Sequence, residues 1–198
     1  TFETEVPPWL KNKESGWLTA EYGMLPTSTN SRNRREAKQG KQSGRTIEIQ
    51  RLIGRSLRTI LDLQVFPSKQ FIIDCDVIEA DGGTRTVAIT GAYVALALAV
   101  KKLLKKRILT QNPIKDSISA ISCGIVNGKI LVDLDYNEDS RADVDANFVF
   151  TQKSGISEIQ ISGEKSTFGL KTMNQMLKLG LESTKIISSL QKKIIGKI

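Results

Sequence analysis

The feature that most narrows the fold is a single apolar stripe. Ile49, Leu52, Ile53, Ser56, Leu57, Ile60 and Leu61 recur at spacings that alternate between three and one. Only a helical period places such positions on one face. The spacing predicts an amphipathic helix over Thr46–Leu63, and that helix must bury its stripe against a second layer. Strand-like segments flank it. Trp17–Leu25 ends at Pro26, and in Lys69–Val77 the residues Phe71, Ile73, Cys75 and Val77 alternate with Ile72, Asp74 and Asp76. A second helix is predicted over Val87–Lys106, rich in Ala and Leu and closed by Lys and Arg that suit a helix C-terminus.

Beyond residue 110 the pattern changes to hairpins. Ser117–Val126 and Lys129–Asp135 flank Asn127-Gly128, a dipeptide that favours a tight hairpin turn. Asn147–Thr151 and Ile156–Ser162 form a second pair, and a long amphipathic helix is predicted over Thr167–Ile195. The opening residues Thr1–Val6 read as the middle of a strand without an initiator Met, so the natural front of the chain is expected to be missing. The order β, loop, α, β, α, ββ, ββ, α describes an α/β fold of the α+β kind. It is a two-layer sandwich with mixed sheets and packed helices, not a doubly wound parallel sheet. Its 198 residues suit a single domain over 1–198, with a front half 1–110 and a C-terminal half 111–198.

The absence of histidine removes whole reaction classes, since no Ser-His-Asp or Cys-His machinery and no His-ligated zinc can be built. Cys75 and Cys123 lie in apolar runs and read as buried free thiols, in keeping with a reducing cytoplasm. No apolar run is expected to span a bilayer, so a soluble cytoplasmic protein without membrane partners is expected. A net charge of +8 favours polyanionic partners.

Three segments could carry chemistry. Gly82-Gly83-Thr84-Arg85-Thr86 stands between a strand and a helix, where glycines admit a ligand to the backbone and the first helical N–H groups suit an anion. The plain alternative is a tight turn with Thr84 as a cap. Ser43-Gly44-Arg45 repeats the pattern at the first helix, where an ordinary N-terminal turn is the better local reading. Between Asp133 and Asp145 six carboxylates fall within thirteen residues. Oxygen-only ligands suit Mg²⁺ or Mn²⁺, and the alternative is a solvated acidic loop over Asn137–Asp145. A long basic loop, Thr27–Gly44, carries Arg32, Arg34, Arg35, Lys38 and Lys41. Arg51, Arg55 and Arg58 continue it as a row along the first helix, readable as a polyanion surface or as a solvated face.

Taken in order, Gly40-Lys41-Gln42-Ser43-Gly44-Arg45, Ile49 to Arg55, Asp74 to Val77, Ala80 to Thr86, Gly124 to Gly128 and Asp135 to Ser140 resemble the ribonuclease PH family at matching spacing. The resemblance implies a phosphate-dependent 3′→5′ exoribonuclease that trims tRNA precursors and releases nucleoside diphosphates, working as a hexamer, a trimer of dimers. It implies that Arg45, Gly83, Thr84 and Arg85 bind inorganic phosphate with Thr86 nearby. It implies that Asp139 and Asp145 serve catalysis and a divalent ion, and that Arg32 and Arg35 face RNA, with Arg51, Arg55 and Arg58 in support. The front half would then hold the phosphate and RNA motifs and the C-terminal half the acidic loop. Thr27, Arg141 and Ala146 depart from the usual family pattern. The alternative is a non-catalytic RNA-binding subunit of an exosome-like ring, in which the acidic pair or the phosphate arginines are typically lost.

Overall fold

The computed structural model describes residues 1–153 and 155–197. A short strand β1 (Phe2–Glu3) precedes strand β2 (Trp17–Met24), helix α1 (Gly44–Thr59) and strand β3 (Gln70–Val77). The helical crossover lets β2 and β3 run parallel, with Leu18 opposite Phe71 and Tyr22 opposite Cys75. Strand β1 lies antiparallel on the other side of β3, so the sheet order is β1-β3-β2. The strand expected across 1–6 is confined to two residues, with Pro7 and Pro8 ending the extended stretch.

Helix α2 (Thr84–Lys105) leads into a second, antiparallel sheet of β4 (Ile118–Val126), β5 (Lys129–Val132), β6 (Val144–Thr151) and β7 (Gly155–Gly163). Its order is β5-β4-β6-β7. The Asn127-Gly128 turn adopts positive φ at both residues, as its sequence predicts. A one-turn helix α3 (Tyr136–Asp139) sits between β5 and β6, and α4 (Leu170–Ile195) follows β7. The described residues thus form a mixed α/β fold with two sheets and four α-helices.

Strand alternation assigns the two faces of the second sheet. Ile118, Ala120 and Val149 join Ile89, Leu96 and Val100 of α2 and the α1 stripe in one core. Ile121, Cys123, Ala146 and Phe148 point the other way and pack with Met176 of α4. Ser122, Asp145 and Asn147 share the parity of the first group, because Ser122 pairs with Asn147 and Gly124 with Asp145. These polar residues therefore face the start of α2.

Several expected boundaries shift for local reasons. Ser43 accepts a hydrogen bond from the Thr46 N–H and caps α1, so Gly44 and Arg45 belong to its first turn. At the far end Leu61 is drawn into a bridge with Ile114, which ends the helix short of residue 63. Gly83, at φ 65°, starts α2 at Thr84 instead of Val87. The expected acidic loop is partly ordered. Asp135 and Glu138 form a capping box that nucleates α3, and Asp145 lies within β6. The basic loop holds a 3₁₀ turn over Glu36–Gln39. Contrary to expectation, α2 is long and apolar enough to cross a membrane by length and composition. Its place explains this: Ile89, Ala92, Tyr93, Leu96, Ala97 and Val100 are buried between the two sheets. Both cysteines are free thiols; burial pushes Cys123 up to about 12, and Cys75, half-buried beside Asp74 and Asp76, up to about 11.

Candidate active site

The loop before α2 is clamped to the acidic segment. Asp81 Oδ1 accepts from the Tyr136 N–H at 2.8 Å, and Ser122 Oγ accepts from the Leu134 N–H at 3.1 Å. A Cβ on Gly82 would overlap the Leu134 carbonyl, so only glycine permits this approach. Thr86 Oγ1 donates back to the Gly83 carbonyl at 2.8 Å and is buried, which makes it a brace of the turn. Thr84 is different. Its Oγ1 accepts from the Tyr22 hydroxyl at 2.9 Å, so its own proton can be directed outward.

Arg85 joins three elements. Its Nη1 donates to Glu48 Oε1 of α1 at 3.3 Å and to Gln160 Oε1 of β7 at 3.2 Å. It also acts on Asp145, whose carboxyl lies above the ordinary carboxylate range. Burial is the first cause, Asp139 the second, and Arg85 opposes them. Asp139 is exposed at the end of α3, and Asp145 is half-buried on β6. The strand pairing and this coupling bring together a guanidinium, a threonine hydroxyl, the α2 N-terminus and two carboxyls that the sequence separates by some sixty residues.

Arg45 reaches the same region from α1. It lines a cavity of about 390 Å³ with Tyr22, Met24, Arg34, Arg35 and Asp76. Tyr22 is the shared wall, since it faces Arg45's cavity and bonds Thr84. A cavity of about 430 Å³ on the other flank of α2 is mostly apolar, and its carboxylates Asp74, Asp76, Glu79 and Asp81 would repel an anion. The cavity beside Arg45 sets Arg34, Arg35 and Arg45 against Asp76 and Glu36, so of the two it is the less hostile to an anion.

Residues 1–102 match the model of the 3′ exoribonuclease family, domain 1, and residues 116–183 match domain 2 of that family. Ribonuclease PH from two strains of Caulobacter vibrioides is 52% identical over 196 residues, covering 99% of this chain and 82% of the relative. The chain belongs to the ribonuclease PH family. The fold is shared more widely. Rice (Oryza sativa) Rrp46 superposes with a TM-score of 0.76 at 19% identity, over 100% of this chain and 81% of that one. The Archaeoglobus fulgidus exosome with RNA bound to the active site gives 0.74 at 17%, over 96% and 75%.

Within this ribonuclease PH fold the candidate RNA residues divide. Arg32, Arg34, Arg35 and Lys38 line an open hollow of about 530 Å³, and Arg35 also borders the Arg45 cavity. The row on α1 does not stay together. Arg55 is paired with Glu158 of β7. Arg58 stacks 4.4 Å over the Trp17 ring and donates to the Leu18 carbonyl at 2.9 Å, with burial first and Arg55 second lowering its pKa. Arg51 is exposed. Four contributors are not marked by the sequence pattern: Tyr22, Glu48, Ser122 and Gln160. Glu48 carries a faint signal, three residues after Arg45 on one helical face. Tyr22 shares its parity with the buried Leu18 and Ala20, and Gln160 carries none.

Proposed function

We propose that the chain is a phosphate-dependent 3′→5′ exoribonuclease, a phosphorolytic nucleotidyltransferase that trims the 3′ ends of tRNA precursors and releases nucleoside diphosphates. The observation that carries this reading is Arg85, which stands in the first turn of α2, where unpaired N–H groups suit an anion, and lies close enough to Asp145 to oppose the burial and the Asp139 charge that raise that carboxyl's pKa. A hydrolase needs carboxylates to activate water; a phosphorolytic enzyme needs an anion cradle beside them.

Phosphate and an RNA phosphodiester repel each other. Arg45, Arg85, Thr84 and the first N–H groups of α2 offset that repulsion and hold one phosphate oxygen toward the terminal phosphorus. A new P–O bond forms there, the bond to the preceding 3′ oxygen breaks, and the terminal nucleotide leaves as its diphosphate. The leaving oxygen requires a proton or a neutralising charge, and Asp145 is the group whose environment favours holding a proton. The two bonds exchanged are of similar energy, so 3′ addition of nucleotides should run in reverse.

Among the described residues no group of three or more His, Cys, Asp or Glu side chains is arranged to hold a metal. Two carboxylates still fit Mg²⁺ or Mn²⁺, because Mg²⁺ usually keeps several waters and takes one or two carboxylates together with substrate phosphate. Asp139 and Asp145 would hold the ion, and their mutual repulsion is what a cation relieves. When bound it would supply charge neutralisation at the leaving oxygen. Arg32 and Arg35 serve as RNA contacts, with Arg51 in support. Assembly into a hexameric ring is supported by an apolar stripe on α4, where Leu179, Ile186, Leu190 and Ile194 are exposed on one face.

Incubation with a 3′-extended tRNA and Mg²⁺, with and without phosphate, tests the reading. Nucleoside diphosphates released only with phosphate are expected. Monophosphates released without it would replace phosphorolysis by hydrolysis.

A further inference from the structure

We infer that Glu48 and Gln160 are positioning residues for Arg85, holding its guanidinium so that one edge stays open to phosphate. A guanidinium has five N–H donors, two on each Nη and one on Nε. Nη1 donates to Glu48 Oε1 at 3.3 Å and to Gln160 Oε1 at 3.2 Å, which uses both of its hydrogens. Gln160 Nε2 donates to the same Glu48 oxygen at 3.3 Å and closes a triangle among α1, α2 and β7. Among the described residues nothing engages Nη2 or Nε. Those two nitrogens form the edge that matches a phosphate's paired oxygens.

The tether answers an electrostatic problem. Asp145 also attracts Arg85, as the guanidinium's lowering effect on that carboxyl shows. Without Glu48 the guanidinium would turn toward Asp145 and spend on it the donors meant for phosphate. Glu48 and Gln160 come from different elements, so the aim of Arg85 also depends on how α1 docks against β7.

The inference rests on the proposed phosphate-dependent activity, so its test includes a readout that needs no turnover. The full chain and the variants Glu48→Ala, Glu48→Gln and Gln160→Ala are compared for the apparent KM of inorganic phosphate, the KM of a 3′-extended tRNA, and stabilisation by phosphate in thermal unfolding. Glu48→Ala should raise the phosphate KM about tenfold, equivalent to one charge-assisted hydrogen-bond contribution. kcat at saturating phosphate and the RNA KM should change little. Glu48→Gln keeps an acceptor but no charge and should fall between, and Gln160→Ala should move the same constant in the same direction. A purely structural role would lower the melting temperature without moving the phosphate KM, and that result would overturn the inference. It would also fall if the phosphate and RNA constants rose together. A wild-type chain that phosphate does not stabilise would sink the phosphate site itself, a different failure from a wild type that responds while Glu48→Ala responds equally.

Discussion

Arg55 forks onto Glu158: its Nε donates to one carboxylate oxygen at 3.0 Å and its Nη2 to the other at 2.9 Å. The pair ties α1 to β7, next to Thr59 and Ser157, whose hydroxyls lie 3.1 Å apart. Arg55 is about half exposed and Glu158 mostly covered. An exposed ion pair contributes roughly 0.2–1 kcal/mol, and the bidentate geometry places this one toward the upper end. Arg55→Ala should therefore lower the urea midpoint slightly, and Arg55→Lys should not restore it, because an ammonium cannot fork. RNA affinity should change little. A large affinity loss at unchanged stability would return Arg55 to the RNA surface.

Arg85 and Arg35 should separate chemistry from binding. Arg85→Ala removes a group aimed at the reacting phosphate, and phosphorolysis should fall on the order of 10²–10³-fold, the scale seen when one transition-state donor is removed. RNA binding should largely persist. Arg35→Ala lies on the open basic hollow, so it should weaken RNA binding and reduce the slope of log affinity against log salt by about one. Equal loss of binding and rate in Arg85→Ala would remove its assigned role.

The glycine loop is built to a close approach, and Gly82→Ala is its most direct probe. The added methyl would meet the Leu134 carbonyl and the Asp135 backbone, neither of which can rotate away. Overpacking of this kind costs about 1–3 kcal/mol. The same displacement would part the α2 N-terminus from the acidic segment, so activity should fall further than stability alone explains. Native-like activity in Gly82→Ala would show that the clamp between Asp81, Ser122 and residues 134–136 does not set the site.

How much of this could be read in advance depended on the range of the interaction. The α1 stripe was legible because helical periodicity is local, and so was the Asn127-Gly128 turn. The anion loop at residues 82–86 and Arg45 could be named as candidates from residue type and position. Asp145 closes the acidic run Asn137–Asp145, which reads as a loop from its charge, yet strand β6 begins at Val144 and its pairing with β4 turns Asp145 toward α2. The three arginines on α1 looked equivalent because their partners, Glu158 and Trp17, lie on other strands. Gln160 had no signal at all: the β6–β7 hairpin is local and expected, but its side chain meeting Arg85 of α2 and Glu48 of α1 depends on how that hairpin packs against the two helices.

Glu36 links acidity to the order of the basic loop. Its Oε1 accepts from Thr46 Oγ1 at 2.8 Å and from the Ser43 N–H at 3.2 Å, pinning the loop to the start of α1 beside Arg45. Desolvation pushes its carboxyl up, but the hydrogen bonds from Thr46 and Ser43 together outweigh it, and the net shift is below the ordinary value of 4.5. A carboxyl depressed in the folded state contributes stability that is complete above the unfolded value and disappears as pH falls through the folded one. The anchor should thus hold at neutral pH and release only below about 4.5, with Arg35 and Arg45 losing their fixed separation. An NMR titration of the Glu36 carboxyl should give a midpoint below that value, with the Ser43 amide shifting in step. Glu36→Gln should loosen the loop at neutral pH, seen as faster tryptic cleavage between Arg32 and Lys38. A midpoint at or above the ordinary value, or a loop equally resistant in Glu36→Gln, would show that the loop is held by other contacts.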